Sequence, residues 1–314
     1  MDKLLIAGVD TVVGANLAAW LGGRYEVTGL SWESSLSIEG CEIELCRSGR
    51  DNPAAWLSNG QPDWIVFCGP GAESSWDEEP SLSTRADWQG IAGTWARAAK
   101  EWNAEFTLVS SDAVFTGPWM FHRENGSCFC DTPTARLLRN IEQSVIEANP
   151  QALIVRTNAF GWSPREDRPG LAERIVETLA NGQELRLDCL RHATPILATD
   201  LADVLDEARQ QKLAGIYHVG GGERINPFRF ACLLADQFGL SLSGLEACDT
   251  TLGERRDYGA GETSLQSRRI RKTLEVALPL IREGIARLHE QHVSGYRDRF
   301  SGETSSLMET SRAA

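Results

Sequence analysis

Short apolar runs separated by helix-length amphipathic stretches place the tightest constraint on what this chain can become. Leu4-Leu5-Ile6-Ala7 ends in Gly8, and residues 12–21 follow with helical spacing. Further strand-like runs fall at residues 25–30, 41–46, 63–68, 106–109 and 152–156, with long helical patterns over 83–102 and 133–148. Near-continuous apolar strands alternating with helices predict a parallel sheet covered on both faces. Right-handed crossovers make that sheet doubly wound. After residue 157 the alternation loosens. Helical patterns at 171–180, 201–210, 227–238 and 267–289 and a strand at 215–219 read as a smaller C-terminal α/β lobe, residues 161–295, interleaved with the last sheet elements. The stretch 301–314, rich in Ser, Thr and Glu, is expected to be disordered.

The 314 residues can bury one large core or two closely packed ones. A net charge of −13 argues against a nucleic-acid or anionic-membrane surface, since either needs a basic patch. The apolar run before Gly8 is too short for a signal-peptide core, and no later segment is long enough to span a bilayer, so a cytoplasmic protein is expected. Its eight cysteines are then expected as free thiols. Cys41 with Cys46, and Cys128 with Cys130, lack zinc-knuckle spacing, so no metal site is predicted. All ten tryptophans lie between Trp20 and Trp162, which suits helix–sheet packing better than an aromatic binding surface.

A strand that ends in glycine and opens a helix gives a glycine-rich turn its meaning. Here the turn reads Gly8-Val9-Asp10-Thr11-Val12-Val13-Gly14. Gly8 permits a sharp strand-to-helix turn, and Gly14 permits close packing of helix on sheet. The helix N-terminus then offers free N–H groups to a pyrophosphate, which makes residues 1–160 a Rossmann-type dinucleotide-binding domain. Gly8, Thr11, Val13, Gly14 and Ser31 are the candidate cofactor-binding residues. Thr11 stands where a middle glycine would, and a β-branched residue tolerates positive φ poorly and adds bulk near phosphate oxygens. The other reading is a helix cap supplied by Thr11 or Asp10. The second strand ends Gly29-Leu30-Ser31-Trp32, with Glu33 slightly beyond, so neither an acid for an NAD ribose nor an Arg for an NADP phosphate stands in place. NAD or NADP binding is expected to be weak or lost.

The segment Val109-Ser110-Ser111-Asp112-Ala113-Val114-Phe115-Thr116-Gly117 resembles the "ST-D-x-V-F-x-G" stretch of the dTDP-4-dehydrorhamnose reductases, in the extended short-chain dehydrogenase/reductase superfamily. Residues 142–157, Ala193-Thr194-Pro195 before Thr199-Asp200-Leu201-Ala202-Asp203, residues 215–223 and Leu278-Pro279 to Gly284 are similar to that family in the same order. The resemblance covers about residues 3–290. It implies an N-terminal nicotinamide-binding sheet and a C-terminal lobe gripping a nucleotide sugar. Hydride would pass to a 4-keto sugar, with a Tyr delivering the proton, a Lys at i+4 lowering its pKa, and a Ser or Thr orienting the carbonyl. A phenol with pKa about 10 needs such a cation to work near neutrality.

In this chain the family's Tyr falls on Thr134 and its Lys on Leu138, and only Ser111 remains of the trio. A threonine hydroxyl is too weak an acid and leucine carries no charge. Arg139 is next door but ~100° around the helix. His122 would be a substitute proton donor, or else a solvent-facing loop residue. Arg255-Arg256 and the run Arg268-Arg269-Arg271-Lys272 would meet a nucleotide diphosphate, or form a solvated face. Ser111, Phe115, Thr194 and Pro195 are expected to line a cleft that Trp119 or its neighbours would otherwise fill. The helices at 83–102 and 133–148 would be free to form a homodimer face.

Two functions follow. One is a catalytically degenerate binding or regulatory relative, with a nucleotide sugar or another ligand and a protein partner, as the regulatory subunit of methionine adenosyltransferase is in the same lineage. The other is a diverged NAD(P)-dependent oxidoreductase with a non-standard proton donor.

Overall fold

The computed structural model describes residues 1–33, 35–46, 53–77, 87–249 and 261–300. Their main sheet is parallel and seven-stranded, in the order β10-β6-β5-β4-β1-β2-β3. The strands are β1 (Lys3–Ala7), β2 (Glu26–Ser31), β3 (Cys41–Leu45), β4 (Trp64–Cys68), β5 (Glu105–Ser111), β6 (Leu153–Thr157) and β10 (Gly215–His218). The order reverses between β1 and β4, which makes their carboxyl ends the topological switch point.

Alternate residues of each strand feed two separate cores, as a sheet covered on both faces requires. Leu4 and Ile6 join Trp64, Val66, Val109 and Val155 on one face, where α1 (Val12–Leu21) and α6 (Ala198–Gln210) pack. Leu5 and Ala7 join Ile65, Phe67, Phe106 and Ile154 on the other, under α2 (Pro53–Gly60), α3 (Trp88–Glu101) and α4 (Pro133–Ala148). Helices α3 and α4 lie side by side, and Gly93 allows it: a Cβ there would stand 2.3 Å from Ser144 Oγ. Trp64, Trp88 and Trp95 are among the largest fully buried side chains, consistent with tryptophan as packing material.

The C-terminal lobe adds β7 (Ala159–Phe160) paired with β9 (Ile196–Leu197), and β8 (Leu185–Asp188) paired with β11 (Leu245–Cys248), both parallel. Its helices are α5 (Leu171–Ala180), α7 (Pro227–Phe238), α8 (Arg268–Leu274) and α9 (Ile281–Val293). The single helical run expected at 267–289 is therefore two helices. Glu275 takes φ +57°, ending α8, and Pro279 lies in the connection before α9 opens at Ile281.

Other boundaries shift by a few residues. Helix α3 begins at Trp88, while residues 83–86 of its predicted start lie outside the described residues, as do Glu78, Glu79, Arg255, Arg256, Tyr258 and 301–314. All eight cysteines are free thiols. Among the described residues no helix is long and apolar enough to cross a membrane, and no three His, Cys, Asp or Glu side chains converge as a metal site.

Candidate functional site

The β1–α1 turn is built on its two glycines. Gly8 adopts φ +108°, and a Cβ there would stand 1.9 Å from Cys68 O; one on Gly14 would stand 2.1 Å from Gly8 O. Thr11 needs no positive φ. It sits at φ −92°, ψ 157° as the α1 cap, donating to Gly8 O at 2.8 Å and accepting from Gly14 N at 3.0 Å. The expected backbone strain and bulk at Thr11 are thus corrected. Its side chain folds inward as a helix cap. Val13 and Gly14 are buried in the helix, and Ser31 is buried at the end of β2.

Two neighbours that spacing alone does not single out change this turn more than Thr11 does. Asp10 is buried, and its Oδ2 accepts from the backbone N–H groups of Trp32 at 3.0 Å and Glu33 at 2.9 Å, just past β2. Burial pushes its carboxyl above the usual range, against the lowering effect of those N–H groups. Its Oδ1 is buried without a hydrogen-bond partner. The Trp32 indole N–H donates to Cys68 O at 3.0 Å, and its Nε1 lies 2.6 Å from where a Gly8 Cβ would be. The ring therefore reaches from the end of β2, past the end of β1, to the end of β4. It packs edge-on against Trp88 at 5.4 Å and beside Phe67 at 5.5 Å.

The second constellation lies at the end of β5 and the start of α4. Ser111 is buried, and its Oγ accepts from Ala113 N at 3.1 Å, capping a short 3-10 turn over Asp112–Val114. Thr134 is half-buried in the first turn of α4. Leu138, one turn on, is buried in an apolar cluster with Ala113, Val114, Phe115 and Leu265. The structure thus gathers the segment after Ser111 around Leu138.

His122 is not a solvent-facing loop residue. It is buried, its ring stacked 4.6 Å from Phe115, with Nε2 3.0 Å from Glu262 O and backbone N–H donating to Ser264 O. A carbonyl only accepts, so Nε2 carries the proton and commits it there. Burial lowers the pKa of His122 and keeps it neutral. The cause is physical: residues 261–267 run beside the loop, a neighbour far away in sequence.

Sequence reasoning also missed the polar knot at the strand ends. Asp112, wholly buried, accepts from Thr263 Oγ1 at 2.7 Å and Asn158 Nδ2 at 3.3 Å, while Asn158 also binds Ser74 and Ser75. Burial pushes its carboxyl up to about 6 despite those donors. Of the four expected cleft residues, Ser111, Phe115 and Thr194 are buried within packed structure. Pro195 lines an interlobe cavity of only about 10 Å³, shared with Trp76 and Phe230. Trp119 does not fill it, being 68% exposed on the loop after β5.

A doubly wound parallel sheet with a glycine-shaped turn at its switch point defines an α/β protein of the Rossmann type. The chain belongs to the family of the RmlD substrate binding domain, whose model matches residues 2–293. A methionine adenosyltransferase 2 subunit beta from Xenopus laevis is 25% identical over 156 residues, 48% of this chain and 47% of that one. Its Rattus norvegicus counterpart is 24% identical over 199 residues, 59% of this chain and 57% of the relative. The match thus spans about half the length of these relatives. Among solved structures, a dTDP-4-dehydrorhamnose reductase from Clostridium acetobutylicum aligns with a TM-score of 0.72 at 17% identity, covering 93% of this chain and 99% of that one. The Bacillus anthracis reductase in complex with NADP gives 0.71 at 16%, covering 93% and 100%. Bordetella bronchiseptica WbmH in complex with NAD+ gives 0.72 at 18%, covering 95% and 100%. These likenesses concern the fold.

Proposed function

We propose that this chain is a catalytically degenerate member of its family, retained as a binding or regulatory subunit. The observation that carries the reading is Leu138, 2% exposed and packed on Phe115 and Leu265 at the position where a reductase needs a cation. General acid catalysis contributes about 10²–10⁴-fold, and neither Thr134 nor the committed His122 supplies it. The dinucleotide turn supports the same reading. Gly8, Thr11, Val13, Gly14 and Ser31 would hold the cofactor, while the buried Asp10 carboxyl and the Trp32 indole beside Gly8 would disfavour an anionic pyrophosphate and its adenosine there. A protein partner fits the relatives that are beta subunits, and a nucleotide sugar fits the reductase neighbours. The polar outer faces of α3 and α4, including Thr94, Arg97, Arg136 and Gln143, would serve a second copy or that partner.

A second reading, an NAD(P)-dependent oxidoreductase with another proton donor, is favoured by the intact glycine geometry at Gly8 and Gly14. Bound nicotinamide would supply the hydride. Titration with NADH and NADPH, followed by nicotinamide fluorescence, separates the two. The expected result is no saturable complex at micromolar concentration and no reduction of a dTDP-4-keto sugar. A Kd below about 1 μM, or steady turnover, would overturn the proposal.

A further inference from the structure

We infer that the C-terminal lobe carries a second ligand site, distinct from the dinucleotide turn, for a free nucleotide di- or triphosphate. A cavity of about 760 Å³ opens between α8, the loop after β10 and the loop after β5. That lies within the range of about 300–1,000 Å³ typical of small-molecule sites. It shares no lining residue with the β1–α1 turn or with the interlobe cavity at Pro195. Leu265 lines it and also belongs to the apolar cluster around Leu138, while Leu138 itself does not line it.

The chemistry of the wall is cationic in an acidic protein. Arg268, Arg271 and Lys272 line it, against Glu275 as the one acid, in a chain of net charge −13. None of the three makes an ion pair among the described residues. Arg269, within the same run, shows what a satisfied cation looks like here: it stacks 4.1 Å over Tyr217 and donates to Ile216 O at 2.8 Å. A solvated face needs no concavity, but here three cations without an ion pair among the described residues share one. Such walls concentrate field lines, and guanidinium groups grip phosphate oxygens in pairs.

Phe121 supplies the second half of the recognition. Its ring is 43% exposed at the cavity, on a residue held at φ +55°, a conformation that bulky side chains adopt only under constraint. The constraint is visible: Phe121 N–H donates to Ser264 Oγ at 2.9 Å, and His122 N–H to Ser264 O at 2.8 Å. Glu275, at φ +57°, turns the chain so that Val276 and Leu278 close the far wall. A flat ring and apolar wall beside three free cations match a base and a phosphate chain together, better than either alone.

Calorimetry on the full chain with ADP, inorganic pyrophosphate and adenosine tests this. ADP is expected to bind saturably and more tightly than the other two. Reversing two exposed charges, R271E/K272E, should weaken ADP and pyrophosphate by about tenfold or more while the chain still melts cooperatively, with only the small drop in Tm that acids in the last turn of α8 bring. Phe121→Gly, which also relieves the backbone, should bring ADP down to the affinity of pyrophosphate and leave pyrophosphate unchanged. No heat with millimolar ADP, or ADP binding indifferent to R271E/K272E, would overturn the site. NADH binding that survives R271E/K272E would count against the proposed function and leave this site untouched.

Discussion

A lysine at position 138 would have to place its ammonium among Ala113, Val114, Phe115 and Leu265, where nothing apolar can stabilise it. Placing a Tyr and Lys pair at 134 and 138, as the proposed function invites, is therefore not a neutral change. Leu138→Lys is expected to lower stability by about 2–4 kcal/mol, read from urea unfolding, because it removes a buried leucine and adds a charge. The double variant T134Y/L138K should still not reduce a keto sugar, since Trp32 and Asp10 are unchanged at the β1–α1 turn. Turnover from that variant would show the crevice to be open. The expectation at Thr134 and Leu138 rests on residue identity alone and was open to sequence reasoning, as was the helix cap at Thr11. Trp32 was not legible, because nothing in the spacing of residues 8, 32 and 68 says that three strand ends bring them together.

At the scale of the element, α5 shows how a helix start can be tied to pH. Glu173 stands in its first turn, and its Oε2 accepts from Gly170 N at 2.9 Å and Ser163 N at 2.8 Å. Burial still pushes its carboxyl from 4.5 up to about 7. The native state then holds this proton more tightly than the unfolded chain does, so the contribution is fully present below about pH 4.5 and is lost as pH rises toward 7. Asp112, raised from 3.8 to about 6, acts in the same direction over a lower window. Denaturation midpoints measured across this range should fall less steeply for Glu173→Gln than for the parent chain. An unchanged or steeper slope would remove Glu173 as the cause. Elements with strong periodicity, such as α4, α5 and α7, match the sequence pattern end to end. The break between α8 and α9 was hidden because the apolar spacing persists through Val276 and Leu278, while only Glu275 and Pro279 interrupt the backbone. The two-residue strands β7 and β9 are too short to carry a period.

Across the whole molecule, the proposed boundary near residue 160 does not coincide with closure of the sheet. Strand β10 pairs with β6 from residue 215 onward, and His218 on it covers Arg156, whose guanidinium is paired with Glu142 in the core. A fragment of residues 1–160 leaves β6 as a bare edge and that buried pair uncovered. It should aggregate on expression and show no cooperative melt, whereas residues 1–300 should melt in one transition; a soluble, cooperatively folded fragment would show that the first domain stands alone. The end of the described chain returns to its beginning. Arg299 donates to Ala19 O on α1, its own carbonyl accepts from Glu39 N, and Tyr296 is buried near Asn16. This has a consequence for the chain as it leaves a ribosome. The sheet edge stays open until residues 215–218 have been made, and the groove along α1 until 296–300 have followed. Synthesis must therefore run past residue 300 before the first helix has all its neighbours, and a nascent chain stalled before that point is the form that most needs a chaperone.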